Sequence, residues 1–163
     1  MIRPICASFL LLLAGIAAYS QASPSKPNLS GTWVFDSQKS ALKMPGPSAL
    51  TLQIDQSDPK ISFARTMTYG DQNFTWKLEA MSDGQKEVVD NSGGLTTNSR
   101  VYWQGNALVV DQKITAEDGT KVEDMVTYTL EDGGNSLEAL ERETAVGGKG
   151  ATTNKWMYAK KTN

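Results

Sequence analysis

The chain has 163 residues, with 16 basic and 18 acidic side chains, no histidine and one cysteine. A formal charge of −2 without a block of like charge argues against a polyanionic partner, so no nucleic acid is expected. Without histidine, and with Cys6 as the lone thiol, Ser-His and Cys-His nucleophile pairs and the ordinary zinc ligand sets are excluded.

Met1 to Ala22 reads as an export leader. Arg3 supplies a positive start, Phe9 to Ala18 is an unbroken apolar or small run, and Ser20-Gln21-Ala22 puts small residues where a signal peptidase reads. That run is short of the roughly 20 apolar residues a bilayer demands, so no membrane span is expected after leader removal. Cys6 precedes the apolar run and cannot become a lipidated first residue. Cleavage after Ala22 leaves a periplasmic or secreted chain of roughly 140 residues, enough for one domain with a genuine core. It carries a net charge of about −3 and no cysteine, so packing holds it without disulfides. Residues 23–28 are a short linker and residues 29–161 the domain.

From Leu29 onward, alternating apolar and polar runs are separated by turns rich in Gly, Asp or Asn, the pattern of half-buried β-strands. The first run is Gly31 to Asp36. Ser37 then caps a short predicted helix through Gln38 to Met44, which Pro45-Gly46-Pro47 stops. Further strands are predicted at Ala49 to Gln56, Ile61 to Tyr69, Phe74 to Ala80, Lys86 to Asp90 and Thr97 to Trp103. The last four are Leu108 to Ile114, Lys121 to Leu130, Leu137 to Thr144 and Thr153 to Lys160. Ser82-Asp83-Gly84, Gln104-Gly105-Asn106, Glu117-Asp118-Gly119 and Asp132-Gly133-Gly134 offer the positive φ angles of tight hairpins, so consecutive strands should pair antiparallel. The fold class is therefore all-β: an up-and-down antiparallel barrel of about 8–10 strands, with one short helix after the first. A Greek-key sandwich would need longer crossing connections.

Gly31-Thr32-Trp33, preceded by Leu29-Ser30 and opening the first strand, resembles the Gly-x-Trp signature of the lipocalin and fatty-acid-binding-protein superfamily, the calycins. The resemblance spans Asn28 to Lys161 and is to small exported lipocalin-like domains. It implies that Gly31 and Trp33 form a barrel-closing motif, and that a basic residue of the last strand packs on the tryptophan. That strand, Asn154 to Lys161, offers lysines and no arginine. It carries Trp156-x-Tyr158 where the fatty-acid-binding branch often has Arg-x-Tyr to hold a carboxylate, a departure from that branch.

Trp33, Trp76, Trp103 and Trp156 would make a sound core for any β domain. Polar residues on apolar faces are more telling, because burying them costs free energy unless a partner or ligand compensates. Counting by twos, Arg65 shares a face with Ile61, Phe63, Met67 and Tyr69; Asp124 with Val122, Val126, Tyr128 and Leu130; Gln112 with Leu108, Val110 and Ile114. One reading makes these the lining of a cavity in which Arg65 receives an anionic or carbonyl group of a mostly apolar ligand. The candidate ligand-binding set is then Arg65, Phe63, Met67, Trp76, Trp103, Gln112, Asp124 and Tyr128. The alternative is that Arg65 and Asp124 pair with each other, or that a β-bulge turns one to solvent.

No catalytic site, metal or cofactor is read from the chain. Glu141 and Glu143 share a strand face as a glycosidase pair would, but such a pair on a hairpin strand reads as solvated surface. Val146 to Thr152 resembles a phosphate loop only superficially: Glu143 stands at the first glycine position, Gly150 follows Lys149, and a strand comes next. It reads as a hairpin loop at the barrel mouth. The Asp-Gly turns lack the alternating oxygen ligands of a calcium loop. Asn28-Leu29-Ser30 and Asn73-Phe74-Thr75 are sequons, relevant only in a glycosylating pathway.

The expected function is an exported, non-enzymatic protein that holds a small apolar or anionic-amphipathic ligand in a barrel cavity, with Pro45 to Pro47 near its entrance. The alternative is a barrel whose interior Trp76, Phe74, Phe63, Phe35 and Trp103 fill, and whose surface acts in the envelope. No protein partner is read from the residues.

Overall fold

The computed structural model describes residues 26–148 and 150–162. The leader and the first half of the linker lie outside the described residues. Ten strands follow in order: β1 (Gly31–Phe35), β2 (Ala49–Ser57), β3 (Lys60–Tyr69), β4 (Gln72–Met81), β5 (Asp83–Asp90), β6 (Leu95–Gln104), β7 (Ala107–Ala116), β8 (Lys121–Glu131), β9 (Ser136–Ala145) and β10 (Ala151–Lys160). They form one antiparallel sheet in the order β4-β3-β2-β1-β10-β9-β8-β7-β6-β5. The β1–β10 pairing, with Trp33 opposite Lys160 and Phe35 opposite Tyr158, curls the sheet into a nearly closed barrel.

Closure fails at one place. Every other consecutive pair of strands is hydrogen-bonded as the short turns require, but β4 and β5 are not partners and leave the two sheet edges facing each other. A register shift between Asp83 and Glu87 accompanies this opening.

The segment after β1 corrects the sequence reading, because it is a single turn and not a helix. Asp36, rather than Ser37, organises it: the Asp36 carboxylate accepts from the Gln38 and Lys39 amides at 3.1 and 3.2 Å. The Ser40 hydroxyl donates to the Asp36 carbonyl and accepts from the Met157 amide at 2.8 Å. Ala41 then exchanges both backbone hydrogen bonds with Lys155. A backbone committed to a strand on the far side of the sequence cannot continue i→i−4 bonding. The helical turn present is the 3₁₀ element at Asp132–Gly134, in the β8–β9 connection, where Gly133 takes φ 65°.

Alternation along the strands builds the core. Leu50, Leu52 and Ile54 of β2, Ile61 and Phe63 of β3, and Val101, Leu108, Val110, Leu137 and Ala139 of the opposite wall are all buried in one cluster with Trp33 and Trp156. The hairpins divide between two ends. At one lie the β2–β3, β6–β7 and β8–β9 turns and the approach to β1; at the other, the mouth, lie the β3–β4, β5–β6, β7–β8 and β9–β10 turns and the 36–48 segment.

Gly31 and Trp33 lie at the first end. Trp33 is 0% exposed, its indole donates to the Leu29 carbonyl at 3.0 Å, and Lys160 Nζ stands 5.3 Å from the ring centroid. Gly31 has φ 143°, and a Cβ there would lie 3.2 Å from Lys160 Cε, so glycine serves both the backbone angle and the passage of the lysine. Gln56 fastens the entering chain by accepting from the Leu29 amide and donating to the Pro27 carbonyl.

Candidate functional site

Alternation on β3 and pairing across the barrel bring most of the candidate residues into one interior. Arg65 lies opposite Leu52 on β2 and Trp76 on β4, so all three point inward. From the far wall, Asp124 is registered with Gln112 on β7 and Glu143 on β9, and Val126 with Glu141. Phe63 and Tyr128 meet across the lumen with ring centroids 5.6 Å apart and planes at 28°. Their strands lie halfway round the sheet from each other, so these two rings fill the barrel at that level.

The structure does not pair Arg65 with Asp124. Among the described residues neither belongs to an ion pair, and Arg65 Nε and Asp124 Oδ1 are buried without a hydrogen-bond partner. The guanidinium instead stacks on Trp156, 4.6 Å from the ring centroid. Burial works to lower the Arg65 pKa, but Tyr158, Tyr128 and Glu141 outweigh it and the pKa moves up. Asp124 moves strongly: burial, reinforced by Glu141 and Glu143 and opposed by Arg65, raises it to about 7. Burial pushes the Tyr158 hydroxyl up to about 12 and Tyr128 upward as well.

Gln112 donates to Ser99 Oγ at 2.7 Å, a buried pair between β7 and β6 that satisfies both side chains locally. Met67 and Trp76 pack against the core, partly buried, on the Arg65 side. Trp103 lies farther off at the closed end, where Lys26 Nζ stands 5.8 Å from its ring and its indole nitrogen has no partner. It does not join the Arg65 group.

Glu141 is the residue that sequence reasoning misplaced. It is half-buried, and one carboxylate oxygen accepts from Asn154 Nδ2 at 2.8 Å and from Trp156 Nε1 at 2.9 Å. The signal was present: counting by twos from the buried Leu137 and Ala139 reaches Glu141, and from Tyr158 and Trp156 reaches Asn154. Glu143 shares that face but is exposed nearer the mouth. Among the described residues no three of His, Cys, Asp and Glu converge tightly enough to hold a metal ion. No helix among the described residues is long and apolar enough to cross a membrane.

The opening between β4 and β5 forms a groove of about 620 Å³. Inward-facing Ile61, Ala80 and Val88 contribute apolar lining, and Lys60, Glu79 and Lys86 charged lining. A smaller recess of about 230 Å³ lies under the 36–48 segment, between Phe35, Leu42 and Pro47.

No family model matches the chain, and no curated protein matches it. Solved structures do. A secretory abundant heat soluble (SAHS) protein from Ramazzottius varieornatus, taken from a dimer sample, superposes with a TM-score of 0.55 at 15% identity, covering 81% of this chain and 94% of that one. Secretory abundant heat soluble protein 4 from the same organism superposes with a TM-score of 0.53 at 18% identity, covering 85% and 97%. At such identities the likeness is one of fold: an all-β, nearly closed barrel.

Proposed function

We propose that the protein is an exported, non-enzymatic barrel that binds a small, mostly apolar molecule. The observation that carries this reading is the unmatched interior pair, Arg65 Nε and Asp124 Oδ1, buried in one barrel and not joined to each other. Leaving a buried polar atom without a partner costs about 1–3 kcal/mol, and a ligand that bonds to it recovers that cost. The lateral groove, lined by other residues toward the closed end, is a separate space of a size that drug-sized ligands occupy, about 300 Å³ or more. Export follows the reading of Met1 to Ala22 as a leader, and the similar structures are themselves described as secretory proteins.

A second reading is favoured by the Phe63–Tyr128 stack, which fills the lumen at one level. In it the barrel is closed by its own side chains and acts through its surface. Native mass spectrometry of gently purified protein, repeated after organic extraction, separates the two. A removable mass on the order of a few hundred daltons is the expected result for a carrier. A clean apo mass with no binding of an apolar fluorescent probe would refute the carrier reading in favour of the filled barrel.

A further inference from the structure

The charges inside the mouth half of the barrel do not balance. Asp124, Glu141 and Glu143 share the interior face of β8 and β9, and Arg65 is the cation facing them from β3. The Arg65 guanidinium is stacked on Trp156 with Glu141 as an opposing carboxylate, although its Nε has no hydrogen-bond partner, and Glu141 is itself fixed by Trp156 and Asn154. Asp124 has no equivalent. Of its cross-strand neighbours, Gln112 gives its amide to Ser99, and Glu143 is a second carboxylate.

Two buried tyrosines point the same way. Tyr128 and Tyr158 are 3% and 2% exposed, and among the described residues neither hydroxyl is engaged in a hydrogen bond. Both tyrosines act electrostatically on the Arg65 guanidinium. An anionic head entering there would face three carboxylates against one guanidinium. An ammonium head would bring three donors to a carboxylate oxygen without a partner, a neighbouring carboxylate and a free tyrosine hydroxyl.

We propose that the ligand is an amphipathic amine, its ammonium head seated between Asp124 and Glu143 and its chain lying against Met67, Ile114 and Val122. This rests on the binding-protein reading above and reverses the head-group charge that Arg65 alone would select. Affinity should rise as pH climbs through about 7, because Asp124 must ionise to pair with the amine. The groups facing Asp124 through that range are Gln112 from β7, Glu141 and Glu143 from β9, Arg65 from β3 and Tyr128 on its own strand.

The test uses three dansylated undecyl chains ending in an amine, a carboxylate or a hydroxyl, titrated against the full mature protein at pH 6 and pH 8. The amine-ended chain is expected to bind about tenfold or more tighter than the carboxylate-ended one at pH 8. D124N should shrink that preference to about twofold, and E143Q, at an exposed position, should reduce it without endangering the fold. Equal binding of amine and carboxylate, or preference for the carboxylate, would overturn the amine assignment and leave the binding-protein reading standing. Failure of all three chains to bind would overturn both.

Discussion

Replacing Asp124 with asparagine removes a carboxylate that the folded state disfavours. In the unfolded chain this group ionises near 3.8; in the barrel, burial first and then Glu141 and Glu143 raise it to about 7 against the pull of Arg65. Between those values the folded protein holds a proton that the unfolded chain has released. The stability contribution of Asp124 is therefore greatest below about pH 4, declines as pH rises through 7, and is level above it. A displacement of about three units corresponds to about 4 kcal/mol at roughly 1.4 kcal/mol per unit. The side chain is partly exposed, and solvent screening brings the expectation to about 2 kcal/mol. D124N does not titrate, so its stability relative to the parent should be near zero at pH 4 and about 2 kcal/mol in its favour at pH 8. Urea unfolding followed by tryptophan fluorescence at pH 4, 6 and 8 measures this, and every other carboxylate cancels between the two proteins. A difference that stays constant with pH, or a variant less stable than the parent at pH 8, would refute the assignment of Asp124 as a buried, unpaired acid.

Trp156→Phe removes the indole donor to Glu141 and weakens the stack under Arg65. Hydrogen bonds to charged groups contribute about 1.5–3 kcal/mol, so a loss of about 2 kcal/mol is expected by urea denaturation at pH 7, and a loss under about 0.5 would show that Glu141 is held by Asn154 alone. Gly31→Ala forces a side chain onto φ 143°. The larger strain is in the backbone, so about 1–3 kcal/mol should be lost, and Lys160→Ala in the same chain should restore only a minor part of it. Full recovery by that second change would place the constraint in the lysine passage instead.

Period-two alternation made all ten strands legible, with ends that differ by only a few residues from those observed, because each strand buries one face whatever its neighbours are. The same counting placed Arg65, Asp124 and Gln112 on interior faces, where the register puts them. What misled was the local appearance of Ser37 to Met44 and of Glu141. A Ser-started run of good helix formers lost to backbone pairing between Ala41 and Lys155 and to a Ser40 hydroxyl spent on Met157. Glutamate on a hairpin strand usually faces water, and here an indole and an amide from β10 draw it inward.

The sequence by itself thus determined which segments are strands and which face of each is apolar, since both depend on spacing within a few residues. Only the tertiary structure decided the partners: that Arg65 stacks on Trp156 and not against Asp124, that Phe63 meets Tyr128 across the lumen, and that the barrel stays open between β4 and β5. Those choices depend on which strands lie opposite once the sheet curls and closes through β1 and β10, a geometry set by the whole barrel that no local pattern contains.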